Sequence, residues 1–202
     1  MNCSPGLPSL AIVATIVISL LSSCSTRRSE ADHASASQSA AVTVSIPLFT
    51  SADPLVKDRI HDLLRGYFNL NQALISDSLA GAKTAAADLL ATTDKFDMSK
   101  LTAEQMDFYF IQSSKLKTGL QVISNSTEIE QARSGLAGVS EAMYAVVKAF
   151  RVNKSPLYYQ YCPMALNNQG ATWLSATEEL ANPYMGQMML NCGRTQEKLE
   201  YQ

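Results

Sequence analysis

The chain has 202 residues, 47% of them hydrophobic and 17% charged, with a formal net charge of −2 at pH 7 and a mean hydropathy of −0.01. That length fits one domain with appendages, and the apolar share is enough for a core. The charges are scattered and nearly cancel, with no basic run interleaved with aromatics, so nucleic acid is excluded as an expected partner.

Residues 1–23 read as a signal peptide. No charged side chain precedes Arg27, and Leu7 to Leu21 form an apolar stretch of about 15 residues, short of the roughly 20 that a membrane-spanning helix needs. The stretch ends in Leu21-Ser22-Ser23-Cys24, which resembles the bacterial lipobox, where the cysteine receives the lipid. Met1 to Gly6 departs from the usual signal pattern in carrying no Lys or Arg. Lipidation of Cys24 makes the chain a membrane-anchored lipoprotein of the bacterial cell envelope, facing the periplasm or the cell surface. Each buried methylene adds roughly 0.8 kcal/mol, so two or three acyl chains hold firmly. Residues 24–52 are rich in Ser and Ala and read as a lipidated flexible tether with an r.m.s. reach of roughly 30 Å. Within it, Val42 to Ile46 alternates like a strand too brief to do more than dock loosely.

Residues 53–202 form the folded part. Asp53-Pro54 starts a helix, with an acceptor at the N-cap and Pro at the first helical position. Apolar residues then recur at Val56, Ile60, Leu63, Leu64, Tyr67, Phe68 and Leu74, the spacing of a helix face. Asp77 or Ser78 caps a second, alanine-dense helix from Leu79 to about Thr92, and Asp94 to Asp97 connects onward. Thr102 with Gln105 signals the third helix, whose apolar positions are Met106, Tyr109, Phe110, Leu116, Leu120 and Ile123. Ser126 or Thr127 caps the fourth, with the stripe Ile129, Ala132, Leu136, Val139, Met143, Val146 and Phe150. Four amphipathic helices on short connections predict an all-α fold, an up-down four-helix bundle.

Ser155-Pro156 stops the helical pattern. The tail from about residue 155 to 195 is turn-rich and apolar, and it carries the only Trp. It reads as an irregular Cys/Met/Tyr-rich cap on the bundle, with room for a short β-hairpin.

Four cysteines occur in the sequence. Cleavage removes Cys3 and lipid occupies Cys24, which leaves Cys162 and Cys192 in the folded part. An exported compartment permits a bridge, so a disulfide, a metal site and two free thiols all stay open. Met164, Met185, Met188 and Met189 fall between the two cysteines. Soft sulfur ligands select Cu(I) and related soft ions. The metal reading takes Cys162 and Cys192 as thiolate ligands and Met164 and Met188 as thioether ligands, with Met185 and Met189 as substitutes. On a helical turn Met188 and Cys192 would share a face. The rival reading is a non-enzymatic protein-interaction module, closed by a Cys162–Cys192 disulfide and presenting Tyr158, Tyr159, Trp173 and Tyr184. No enzyme is expected. His33 lies in the tether, His61 reads as a bundle-edge histidine, and Glu178-Glu179 as turn residues. No phosphate loop, His-Glu-x-x-His or Cys-x-x-Cys is present.

Several stretches carry a resemblance: Tyr161-Cys162-Pro163-Met164-Ala165, Gly170 to Ser175, Asn182 to Gly193, and in the first helical pair Tyr67-Phe68, Ala73-Leu74 and Asp77 to Ala80. They are similar to a bacterial family, the domain of unknown function 3347, over about Asp53 to Leu199. Its members are commonly exported, and they occur fused to the periplasmic adaptor subunit of copper/silver efflux pumps. The resemblance implies heavy-metal handling and efflux-pump components as partners. It assigns no ligands.

Overall fold

Asp53 opens the first helix by accepting the Leu55 N–H at 2.8 Å, and Pro54 at the first helical position removes a donor that would otherwise go unmet. This is the start of α1 (Pro54–Ile75) in a computed structural model that describes residues 45–201. Cys24, the signal peptide and most of the expected tether lie outside the described residues. Asp77, left-handed at φ 54°, turns the chain, and the Ser78 hydroxyl caps α2 (Leu79–Asp94) by accepting the Gly81 N–H at 3.1 Å. A 3-10 turn over Met98–Lys100 leads to α3 (Ala103–Asn125). Its capping box is complete: Gln105 N–H donates to Thr102 Oγ1 and Thr102 N–H to Gln105 Oε1.

The fourth helix, α4 (Ile129–Phe150), starts differently from the expected cap. Ser126 is spent on closing α3, its hydroxyl donating to Ile123 O at 2.6 Å, and Glu128 stands at the N-cap without a side-chain bond. The chain leaves α4 at Arg151, whose left-handed backbone (φ 48°) ends the helix four residues before Ser155-Pro156.

The helices pack in sequence order, α1 on α2, α2 on α3 and α3 on α4, with α4 also against α1. The α4 stripe from Ala132 to Phe150 is fully buried, as are Ile60, Leu63, Tyr67 and Leu74 of α1. Two expected apolar positions of α3 face outward instead: Met106 and Phe110 are exposed, while Tyr109, Leu116, Leu120 and Ile123 point inward. Tyr109 stacks on Phe96 of the α2–α3 connection at 4.0 Å. The folded part also reaches back before Asp53. Phe49 packs against Phe108 and Phe150, and its N–H donates to Ala149 O.

The tail departs from the expected irregular cap. It holds β1 (Leu157–Cys162), β2 (Ala171–Ser175) and β3 (Arg194–Leu199) in one antiparallel sheet of order β2-β1-β3. The fold is therefore mainly helical with a small sheet, not all-α. Five- and six-residue strands separated by long turn-rich loops hide a period-2 signal, which is why the sequence read as irregular. The sheet lies on α4, largely through β2. Trp173 and Leu174 enter the core there, and Tyr144 of α4 stacks on Tyr159 of β1 at 3.8 Å. Among the described residues no helix is long and apolar enough to cross a membrane.

Candidate functional site

Strand register brings the two cysteines together. Cys162 is the last residue of β1, where it pairs with Ala171, and Tyr161 pairs with Arg194 at the start of β3. Cys192 precedes Arg194 by two residues, so the turn into β3 sets it beside the end of β1. Gly193 permits that approach. Its φ is +138°, and a Cβ there would sit 2.7 Å from Tyr161 O.

The loop behind Cys192 is held by Asn182, which is wholly buried. Asn182 Nδ2 donates to Cys192 O at 2.8 Å, and its Oδ1 accepts from Tyr184 and Met185 N–H. On the main chain, Asn182 N–H donates to Leu190 O and Cys192 N–H to Met189 O. Five bonds thus fix the segment that carries one thiol against the strand that carries the other.

Both cysteines are free thiols, Cys162 buried and Cys192 half-buried. The two thiols are neighbours, close enough for one to perturb the ionisation of the other. The Cys162 thiol beside it, with a smaller part from burial, pushes the Cys192 thiol up to about 11, against a partial offset from the Met164 N–H. Cys192 is therefore protonated at neutral pH, and a soft ion seated there displaces its proton.

The methionines are distributed unevenly about this pair. Met164 follows Cys162 by two residues, its N–H aimed at the Cys192 sulfur and its side chain 45% exposed. Met188 is 79% exposed. It ends a 3-10 turn over Gly186–Met188, and Met189 then goes extended, so Met188 and Cys192 do not share a helical face. Met185 packs against the core and Met189 is partly exposed. Among the described residues no three His, Cys, Asp or Glu side chains gather as a metal-binding group. The donors at this place are sulfurs, a set suited to a soft, low-coordinate ion more than to Zn²⁺, which takes four ligands in its structural sites.

The aromatic face expected of an interaction module is not assembled. Trp173 is 1% and Tyr184 4% exposed. Tyr184 Oη donates to Thr172 O at 2.8 Å and lies 3.3 Å from Ser140 Oγ, which also bonds Tyr67 Oη at 2.9 Å. Tyr159 is half-buried on Tyr144, its Oη donating to Thr172 Oγ1. Large aromatics on a small sheet are the side chains that seal it to the helices, and the sequence does not separate that use from display.

A clasp that the sequence reading did not single out ties the same loop to the helices. Arg133 of α4, 7% exposed, donates to Asp77, to Leu74 O and to Pro183 O. Asp77 Oδ2 accepts the Gln187 N–H, and Gln187 Nε2 donates to Ile75 O at 2.8 Å. Gly186 (φ +56°) lets the loop come this close, since a Cβ there would strike Asp77. The signal available in sequence was an Arg inside an apolar helix face and Asn-Pro and Asn-Cys-Gly punctuation in the tail. Neither names its partner.

Residues 63–155 match the family described as "Protein of unknown function (DUF3347)". The match spans most of α1 through α4 and stops before β1, so the tail stretches lie outside it. No curated protein and no solved structure gives a significant match.

Proposed function

From a chain that belongs to the DUF3347 family over residues 63–155, we propose an exported lipoprotein of heavy-metal handling that binds a soft ion of the Cu(I) type at its Cys162–Cys192 thiol pair. It acts as a buffer, carrier or efflux accessory, anchored at Cys24 in the cell envelope. The observation that carries the reading is the contact between a buried and a half-buried thiol, with a pinned loop behind one and a strand behind the other. Cys162 and Cys192 supply the thiolates. Met164 and Met188, both exposed, are the thioether donors of this reading, with Met185 and Met189 as substitutes. Exposed thioethers suit capture of an ion, and the thiols suit its retention. We read α1 to α4 as an up-down four-helix bundle, because neighbours in sequence are neighbours in space.

The same contact supports a second reading, a Cys162–Cys192 disulfide closing an interaction module. A bridge over that loop stabilises by about 3–4 kcal/mol if unstrained. Of its proposed display surface, Tyr158 and Tyr159 keep partial exposure. Thiol counting with metal analysis decides between them, on full chain isolated from its native envelope without oxygen. One soft ion per chain, with both thiols titrating after its removal, supports the metal reading. A bridge without metal overturns it in favour of the second, and two free thiols without metal overturn both.

A further inference from the structure

Away from the thiol pair, a pocket of about 530 Å³ is lined by Lys57 and His61 of α1, by Arg151, Asn153 and Lys154 after α4, and by Tyr201. Three permanent cations and one carboxylate, Asp58, share this lining. Among the described residues Lys57, Arg151 and Lys154 enter none of the salt bridges. Three cations facing one concave space against a single carboxylate repel, and an anion in that space relieves the repulsion.

Two further features bear on the same place. Arg151 holds a left-handed backbone, which side-chain-bearing residues rarely adopt, and this lays its guanidinium over the Tyr201 ring at 5.3 Å. Burial first, and then Lys154, hold the His61 imidazole below its usual range despite Asp58 and Asp62, so at neutral pH it can still accept or donate a hydrogen bond.

We propose that this pocket binds a phosphate ester. Lys57 and Lys154 neutralise the phosphate, the Arg151 fork bonds two of its oxygens, and the Tyr201 ring backs the guanidinium. Arginine stacked on an aromatic ring is pre-oriented, which favours a planar, bidentate partner over a diffuse counter-ion cloud. The chemistry has two sources, a soluble phosphate ester and an anionic lipid headgroup. Thr50 and Ala52 border the pocket, so the chain passes it on its way from the N-terminal segment to α1.

Lysine footprinting on the full chain tests this without needing the natural ligand. An amine-acylating reagent is applied and the rate at each lysine is read by mass spectrometry. One arm uses protein in neutral detergent with glycerol 3-phosphate, and the other uses protein in phosphatidylcholine vesicles with or without phosphatidylglycerol. At a ligand concentration four times its dissociation constant, Lys57 and Lys154 should label about fivefold more slowly, by the factor one plus concentration over Kd, while exposed Lys115 keeps its rate. Protection in the first arm assigns a soluble ester, and protection only on phosphatidylglycerol assigns a headgroup. Arg151→Asn, which keeps a residue tolerant of the left-handed backbone, should abolish the protection while leaving the helical circular dichroism unchanged. No selective slowing in either arm, equal slowing at Lys115, the same effect from sodium chloride at matched ionic strength, or full protection in Arg151→Asn would each overturn the proposal.

Discussion

In α1 to α4 the core is built from residues three and four apart on each element, so Ile60, Leu63 and Leu74, or Leu136, Val139 and Met143, meet neighbours that sequence spacing already implies. Between Leu157 and Leu199 the contacts that matter join distant points: Asn71 to Leu174, Arg133 to Pro183, Lys148 to Glu197. The helices thus carry their own folding instructions, while the sheet is organised by polar bonds to the helices it sits on. The segments that connect its strands carry the tail's special backbone. Leu166, Asn167 and Asn168 are left-handed in succession, and Gly170, Gly186 and Gly193 have positive φ. A region held this way is more easily opened than the helices, and it carries the thiol pair.

Substitutions should separate the two regions, and the largest effect is expected in the shared core. Phe150→Ala removes a fully buried ring where α4 meets Phe49 and Phe108, and it should cost about 3–5 kcal/mol in urea unfolding, with helix and sheet signals lost together. If the sheet unfolded in a separate, later transition, the dependence described above would be wrong. Asp77→Ala leaves the buried Arg133 guanidinium with only the longer contact to exposed Glu130, at 3.8 Å. The half-exposed Asp77 is partly screened, so the expected cost is about 1–3 kcal/mol. Amide exchange should accelerate in residues 182–192 while α1 to α4 keep their protection. Thr102→Ala removes one member of the α3 capping box and should cost about 1 kcal/mol, confined to the helical melt, with thiol reactivity unchanged.

The smallest expected effect is a pH dependence. In the reduced chain the Cys192 thiol is held at about 11 against 9.0 when unperturbed, so the folded state keeps a proton that the unfolded state releases. That contribution is fully present below pH 9 and is lost as pH rises through about 11. Buried tyrosines such as Tyr67 and Tyr184 shift the same way, so the readout is the difference between the chain and Cys192→Ser. An identical alkaline slope in both would mean that the two sulfurs do not interact.

The legibility of the sequence follows the same division. The caps at Asp53, Ser78 and Thr102 and the buried α4 stripe could be read directly, because capping and helical periodicity are local. The error at Ser126 shows the limit: two adjacent hydroxyls were available, and the buried one went to the preceding helix. The pairing of β1 with β3, the burial of Trp173 and the outward-facing Phe110 depend on which surfaces meet, which no window of the chain contains. At the candidate site, elimination among four cysteines singled out Cys162 and Cys192 as candidates. Their contact was not, since it needs the register of two strands more than 30 residues apart and a glycine at φ +138°.

Competitive titration of the reduced full chain with Cu(I) against a chromophoric chelator is the most direct test of the thiol pair. The chain should take up one ion, with affinity rising with pH because binding displaces the thiol protons. Cys162→Ser and Cys192→Ser should each abolish tight uptake, whereas Met188→Ala should weaken it only mildly, since that side chain is 79% exposed. Unchanged uptake in either serine variant would contradict the account.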